Sequence, residues 1–546
     1  MNVEDEDIRA KETVPGTSYV VDIGQNSNRQ HSGAASDIIL HPQPSVDPND
    51  PLNWTKFRKE YHYGLVWMWA FLLAAAVNWT GPVYTVMQTS YNASLNQMNL
   101  SSGLCYLFLG VGCVILQPLA MKFGRRPVYM LGTILNIVGN SVLGGSNTLG
   151  KLYLSNILTG VAAAPVDSLV QISITDIFFL HEHGRRLSIY LFALYAGSYL
   201  GPVAAGYIYE GQSNWKWIAW WLVIISGGLL VVQFFSMDET LYKRDPKLVP
   251  SIVEGKLDEE LLTKDDENDL AEGKTEPAHF LTTYDGVVID APPLKTYWQR
   301  LKLFSPEHGS NYSLPMVFWQ PFPTIRYPAV TWCAFVYGVQ ICWLSLLSIT
   351  QAEFFEDPPY NFSANAAGLT NFASLIGGFF GMLYASSTDY FQLWMTRRNN
   401  GFFEPEFRLW SLTIAGTINT GGLLMYGLGV SYGQTWILPV FGIGLISFGI
   451  GACGAIAITY AVDCYPEQAS NTMVLILFIR NLLGTVFTFV FQYWLDGMGM
   501  NGTTAFLAAI CFAANMSFLI FIFWGKDFRR WTAAWYYEAI ERNKEM

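Results

Sequence analysis

Twelve apolar stretches, each near the ~20 residues that a helix needs to cross the ~30 Å hydrocarbon core of a bilayer, dominate this chain. They run over residues 63–86, 103–121, 127–146, 152–178, 187–209 and 217–235, and, beyond a polar block, over 329–354, 366–389, 409–429, 435–461, 472–494 and 503–524. A backbone in hydrocarbon must satisfy its own polar groups, which leaves helices as the form open to segments of this length. The expected fold is an all-α membrane protein with 12 transmembrane helices in two six-helix halves.

The charges fall where that fold needs water. Residues 1–62 carry 16 charges and residues 236–328 carry 26, so most of the 75 charged side chains lie outside the apolar runs. The organisation read from this is a cytosolic N-terminal tail over 1–62, a first half over 63–235, a central cytosolic loop over 236–328, a second half over 329–525 and a cytosolic C-terminal tail over 526–546. The central loop is acidic and broken by Pro246, Pro250, Pro277, Pro292 and Pro293, which suits a linker. Within it, Leu294–Phe304 could form an interfacial amphipathic helix. The polar, acidic first twenty residues contain no apolar core of a cleavable leader, so the tail is expected to stay cytosolic.

Several function classes drop out on composition. A formal charge of −11 with no basic stripe argues against nucleic-acid binding. The seven cysteines form no CxxC pair and suggest neither a disulfide framework nor a metal centre. All seven histidines lie outside the spans, which makes a histidine-based intramembrane enzyme site hard to build. No P-loop pattern supports a primary pump, so no cofactor is expected and the energy must come from a gradient.

With the N-terminus inside, Lys122, Arg125, Arg126, Arg185, Arg186, Arg397, Arg398 and Arg408 fall on the cytosolic side, against Lys151 and Lys216 outside. The same topology puts the N-x-[ST] triplets at Asn92, Asn99, Asn361 and Asn501 on the outer face, where glycosylation can occur. Other triplets at Asn53 and Asn311 fall inside, and those at Asn78 and Asn515 within spans.

Two charges lie deep in the apolar runs. Asp167 stands nine residues from the cytosolic Asp176, ~13 Å along a helix, and Arg480 stands eight residues into its span, ~12 Å. A charge at that depth costs about 2.5–3.5 kcal/mol on insertion scales, so each needs a partner or a function. For Asp167 the alternatives are a proton or cation coupling site and a purely structural ion pair. For Arg480 they are pairing with Asp167 and snorkelling toward Asp463. Around these charges, Gln171, Tyr195, Tyr199, Gln340 and Trp343 are candidates to line a substrate cavity. Gly377, Gly381, Ala385 and Asp389, spaced four apart, mark a close-packed helix face whose terminal Asp389 can pair with the arginines that follow, Arg397 among them.

Four stretches carry a family resemblance. Gln117-Pro118-Leu119-Ala120-Met121-Lys122-Phe123-Gly124-Arg125-Arg126 is similar to the loop signature Gly-x-Leu-x-Asp-Arg-x-Gly-Arg-Arg, departing at Gln117 and Met121. Gly197, Gly201, Pro202 and Gly206 match the glycine-proline antiporter motif of a fifth span, with Ala205 replacing one glycine. Asp176 to Arg185 and Asp463 to Glu467 extend the match. The chain thus resembles the major facilitator superfamily, and within it the fungal drug:proton antiporter family, close to the histidinol and polyamine permease branch. The resemblance implies the major facilitator fold and a monomeric carrier of a small-molecule substrate, with protons as coupling ion, in the lipid bilayer of the plasma membrane. It also implies a cytosolic gate of Arg125, Arg126, Asp176, Arg185, Asp389, Arg397 and Asp463. Efflux of a drug or secondary metabolite by alternating access leads. Uptake of organic cations such as polyamines or histidinol is the alternative, and a non-transporting nutrient sensor is the alternative of another class. The slot that holds an arginine in the family's fourth span is Asn156 here.

Overall fold

The structure, a computed structural model, describes residues 14–19, 47–242, 280–284, 287–291, 294–302, 314–399 and 402–545. Among the described residues, ten helical stretches are long and apolar enough to cross a membrane. One of them, Pro466–Arg542, is 77 residues long, several bilayer thicknesses, and is divided at Gly499, whose φ of 68° lies outside the helical range. The helix Leu412–Ser431 adds a further crossing, its apolar character diluted by Thr413, Thr417, Asn419 and Thr420. The expected count of twelve follows.

In order, span one is Lys56–Asn78, continued by Tyr84–Tyr91; span two is Leu95–Phe123; span three is Arg125–Gly144; and span four is Leu149–Ala163 followed by Val166–Ile177. Span five is Leu180–Gln212 and span six Lys216–Ser236. Span seven is Pro328–Glu356, span eight Ala364–Leu369 with Asn371–Arg398, span nine Leu412–Ser431, and span ten Ile437–Cys464. Span eleven starts at Ala469 and ends at the Gly499 break. Span twelve follows, and its last part, Phe518–Glu545, runs on as one 28-residue helix past the apolar run.

Local chemistry sets these boundaries. Ser94 and Gln97 form a reciprocal capping box that starts span two. Gly124 alone separates spans two and three, with φ of +116°, a conformation that side chains other than glycine rarely adopt. Spans eight and ten approach backbone to backbone: a Cβ at Gly377 would lie 1.9 Å from the Gly444 carbonyl oxygen, and one at Gly381 would lie 2.3 Å from that of Phe448. The small-residue face expected from the four-residue spacing is therefore the face that seats span ten.

Each half has its own apolar core. One cluster gathers Trp69, Tyr129, Leu169 and Leu222 from spans one, three, four and six. Two others gather Val330, Ala457 and Ile476, and Trp343, Ile446 and Cys511, from spans seven, ten, eleven and twelve. Spans two and eleven close the seam between the halves, and Cys113 and Ala164 pack there against Val474 and Leu477. All seven cysteines are buried and free.

The central loop departs from a plain linker in two places. Phe280–Tyr284 and Val287–Ala291 pair as an antiparallel hairpin in register Phe280↔Ala291. The amphipathic helix expected over Leu294–Phe304 shortens to the four-residue Tyr297–Arg300, and residues 303 and 304 lie outside the described residues. That turn is moored by the Tyr297 hydroxyl, which donates to the Phe235 carbonyl at the end of span six.

Candidate functional site

The twelve-helix arrangement leaves a cavity between the halves, with about 740 Å³ of empty space including its opening to solvent. Its walls come from seven spans: Asn78 from span one, Tyr106 from span two, Asp167 from span four, Tyr195 and Tyr199 from span five, Tyr337 and Gln340 from span seven, Ile450 from span ten, and Arg480 and Asn481 from span eleven. The lining is mostly apolar and aromatic, with Asp167, Arg480, Asn481 and the Tyr337 hydroxyl gathered on one wall.

On that wall Arg480 Nη2 donates to Asp167 Oδ2 at 2.5 Å. The pair joins span four of one half to span eleven of the other. The Arg480 side chain is 5% exposed and that of Asp167 15%, so both charges are largely removed from water. Arg480 has further partners: Nη1 donates to the Tyr337 hydroxyl at 2.9 Å, Nε and Nη2 reach Asn481 Oδ1, and the guanidinium lies 4.7 Å from the centre of the Tyr337 ring. Of the two partners open to Arg480 on the sequence, it takes Asp167 rather than Asp463.

Span four is broken where this pair forms. Its first helix ends at Ala163 and its second begins at Val166, with Pro165 between. Asp167 therefore occupies the first turn of a new helix, where unpaired backbone N–H groups favour a negative charge. The mid-span proline was the signal for this break.

The five predicted cavity residues separate cleanly. Tyr195 and Tyr199 line the cavity with their rings stacked, centroids 6.3 Å apart. Gln340 lines it as well and is held by Asn419, which donates to its oxygen at 2.6 Å, and by Asn515, which accepts from its nitrogen at 3.0 Å. Trp343 does not line it: Tyr337, Gln340, Ile341 and Leu344 share the cavity face of span seven, and Trp343 points to the other side, edge-on to Phe487 in the core of the second half. Gln171 is likewise absent from the lining; it lies one turn beyond Asp167 toward the arginine-rich loops. Asn156 lines a smaller cavity of about 410 Å³ that shares Asn78 and Tyr106 with the main one, and it donates to Ser101 Oγ at 2.5 Å.

At the face carrying the arginine-rich loops, each half holds its own charge cluster. Arg125 Nε meets Asp176 Oδ2 at 3.3 Å. The N-terminus of span three, where the loop signature sits, is closed by Glu239: its two carboxylate oxygens accept the backbone N–H groups of Arg125, at 2.7 Å, and Arg126, at 3.1 Å. Burial raises the Glu239 carboxyl above its ordinary range, and these backbone donors oppose the rise. A Cβ at position 124 would fall 2.3 Å from Glu239 Oε2, a second reason for glycine there. Glu239 belongs to the Glu-Thr-Leu-Tyr stretch after span six, and its role as a cap is not apparent from spacing. The Arg126 guanidinium donates to the carbonyls of Phe234 and Leu301.

In the second half the cation that meets Asp389 is Arg408, at 2.8 Å, and the same guanidinium reaches Asp463 at 3.5 Å. Arg397 is exposed and takes no part in this cluster. It shares a helix with Asp389 eight residues away, ~12 Å along the axis, too far to pair. The side chain of Arg185 lies outside the described residues. On the opposite face the halves are joined by Thr85 to Glu356 at 2.5 Å, Asn365 to Glu210 at 2.5 Å and Ser348 to Asn78 at 3.2 Å.

The antiporter-like motif lies on span five between the halves. Gly197 and Gly201 face span one, where a Cβ would lie 2.2 Å from the Phe71 carbonyl oxygen or 3.0 Å from Ala75 Cα, and Gly206 faces Ala364 and Asn365 of span eight. The helix continues through Pro202. Among the glycosylation triplets, Asn92 and Asn361 are exposed at turns with positive φ, and Asn501 is exposed on a helix. Asn99 is 4% exposed and accepts from the Tyr84 hydroxyl at 2.9 Å, which removes it from the candidates.

A family model described as Major Facilitator Superfamily matches residues 66–488. The chain belongs to the major facilitator superfamily. Relatives agree: the "Uncharacterized MFS-type transporter C1271.10c" of Schizosaccharomyces pombe is 32% identical over 98% of this chain and 96% of its own length. "Protein HOL1" of Saccharomyces cerevisiae is 31% identical over 93% and 92%. Among solved structures, that of the human organic anion transporter MFSD10 (TETRAN) aligns with TM-score 0.53 at 15% identity, covering 84% of this chain and 99% of the other, and supports the fold. As a superfamily member the protein is a multi-pass membrane transporter.

Proposed function

We propose that this transporter is a proton-coupled exporter of a small organic molecule, in which the Asp167–Arg480 pair is the coupling switch. The observation that carries the reading is that the two charges belong to different halves and meet at the wall of the central cavity. Protonation of Asp167 removes the charge that Arg480 is paired with and weakens the tie between the halves, so proton occupancy and the arrangement of the halves become linked. The apolar and tyrosine-rich lining suits a molecule with an aromatic or aliphatic body and a few polar groups. The span-five glycine motif between spans one and eight, together with the resemblance to drug:proton antiporters, favours export at the plasma membrane with both termini cytosolic.

A second reading is uptake of an organic cation, the activity implied by likeness to the histidinol and polyamine branch. It is favoured by the same carboxylate and four tyrosines, which can receive a cation in place of the Arg480 guanidinium. The test is purified protein in liposomes with an imposed pH gradient and a panel of hydrophobic drugs and polyamines, following proton flux with an internal dye. Export coupling predicts proton movement opposite to a drug-like substrate, and Asp167→Asn should exchange substrate without responding to the gradient. Undiminished uphill transport by Asp167→Asn would refute the switch.

A further inference from the structure

The residues Val14-Pro15-Gly16-Thr17-Ser18-Tyr19 lie before the first half in sequence but sit on the second half. Their backbone makes a tight turn of type II pattern, with Pro15 at the second position, Gly16 at the third with φ of +77°, and the Thr17 N–H donating to the Val14 carbonyl at 3.1 Å. Ser18 and Tyr19 then pair antiparallel with Phe403 and Phe402, in the connection between spans eight and nine.

The receiving surface is built for this turn. Arg529, on the helix that continues span twelve, is 0% exposed; it holds Glu406 with two hydrogen bonds at 2.9 and 2.7 Å. Its remaining Nη1 donates to the Pro15 carbonyl at 2.6 Å and the Thr17 hydroxyl at 2.9 Å. Gly16 lies against the end of span ten, where a Cβ would fall 2.5 Å from the Asp463 carbonyl oxygen. Val14 and Thr17 are buried. Asp47 sits on the first half, where its carboxylate accepts from the Tyr242 hydroxyl at 2.6 Å.

We propose that this surface is a peptide-binding site whose ligand is the chain's own segment 14–19, and that the docked peptide clamps three elements of the second half together: the 402–406 connection, the end of span ten and the helix after span twelve. Recognition combines strand addition, which supplies backbone hydrogen bonds, with a preformed proline-glycine turn read by a buried arginine. The clamp is separate from the central cavity and holds whether or not the proposed coupling role of Asp167 does.

The test uses the full chain with Ser18→Cys and Phe403→Cys, residues paired in register and therefore at disulfide range. The seven native thiols are buried and leave the background silent. Oxidation should link the pair at least tenfold faster than a control pair of Ser18→Cys with Lys56→Cys, an exposed residue at the start of span one. Adding Gly16→Val should abolish that advantage. In the otherwise unchanged chain, Gly16→Val should raise hydrogen exchange at 402–408 and 526–532 at least tenfold while exchange in span three stays the same. Equal cross-linking of the two pairs, cross-linking indifferent to Gly16→Val, or unchanged exchange at the clamped elements would each overturn the proposal. Gly16 lies in the tail, so a folding defect of the membrane core would show in span three and be recognised.

Discussion

The central ion pair makes a quantitative prediction. With Arg480 Nη2 2.5 Å from Asp167 Oδ2, the charge centres are about 4 Å apart, and Coulomb attraction at an effective dielectric of about 20 is ~4 kcal/mol. The exposures of 5% and 15% leave little room for water to screen it. Replacing Asp167 by Asn strands a buried guanidinium, a change that costs roughly 3–5 kcal/mol where one partner of a buried pair is lost. Tyr337 and Asn481 still accept from Arg480, which places the expected loss near the lower end. Arg480→Gln should destabilise by a similar amount. The double variant should lose only about 2–4 kcal/mol rather than the summed ~6 kcal/mol, because neither charge then remains unpaired. A double-mutant cycle measured by reversible unfolding in mixed detergent micelles should therefore give a coupling energy of about 2–4 kcal/mol. A value below about 0.5 kcal/mol, with the two single losses simply adding, would refute the view that these residues interact directly across the halves.

Three further outcomes follow from the placement of side chains. Arg408→Ala should lower stability by roughly 2–4 kcal/mol because it leaves Asp389 and the largely buried Asp463 without their cation, whereas Arg397→Ala should stay within about 0.5 kcal/mol; melting of the two variants in detergent distinguishes them. Trp343→Ala should cost roughly 3–5 kcal/mol as a core truncation yet leave substrate KM within about twofold, while Tyr199→Ala should change KM at least fivefold; transport kinetics against melting temperature tests the split. Asn99→Gln should leave gel mobility unchanged in glycosylating cells, since its amide is buried beside Tyr84; a shift toward lower mass would contradict the observed packing.

What was legible in the sequence was what the bilayer enforces. Hydrocarbon demands long apolar helices, so twelve crossings are countable, and it penalises buried charge, so Asp167 and Arg480 stand out within the apolar runs. What was not legible depended on rotation and on distant pairing. Trp343 and Gln340 are three residues apart on span seven, yet one faces the core and the other the cavity. Periodicity alone gives no origin for the angle around a helix that is apolar on all sides. Arg408 was separated from Asp389 by a turn of chain, whereas Arg397 was nearer in sequence but further along the same axis. Glu239 acts through backbone N–H groups and Arg529 through a carboxylate 123 residues away in sequence, and no local side-chain spacing reveals either. Pro165, by contrast, is legible as a helix break that puts Asp167 in a first turn.

The 28-residue helix Phe518–Glu545 extends ~42 Å at 1.5 Å per residue. It is bolted to the second half by Arg529 on Glu406, Lys526 on Glu404 and Thr532 on Tyr465. A stiff rod fixed in this manner behaves as a lever arm. A fluorophore attached rigidly near its free end would tilt with the second half as a whole, turning a rocking motion of a few degrees into a displacement of ångströms and a change in polarisation that an optical experiment can follow in real time.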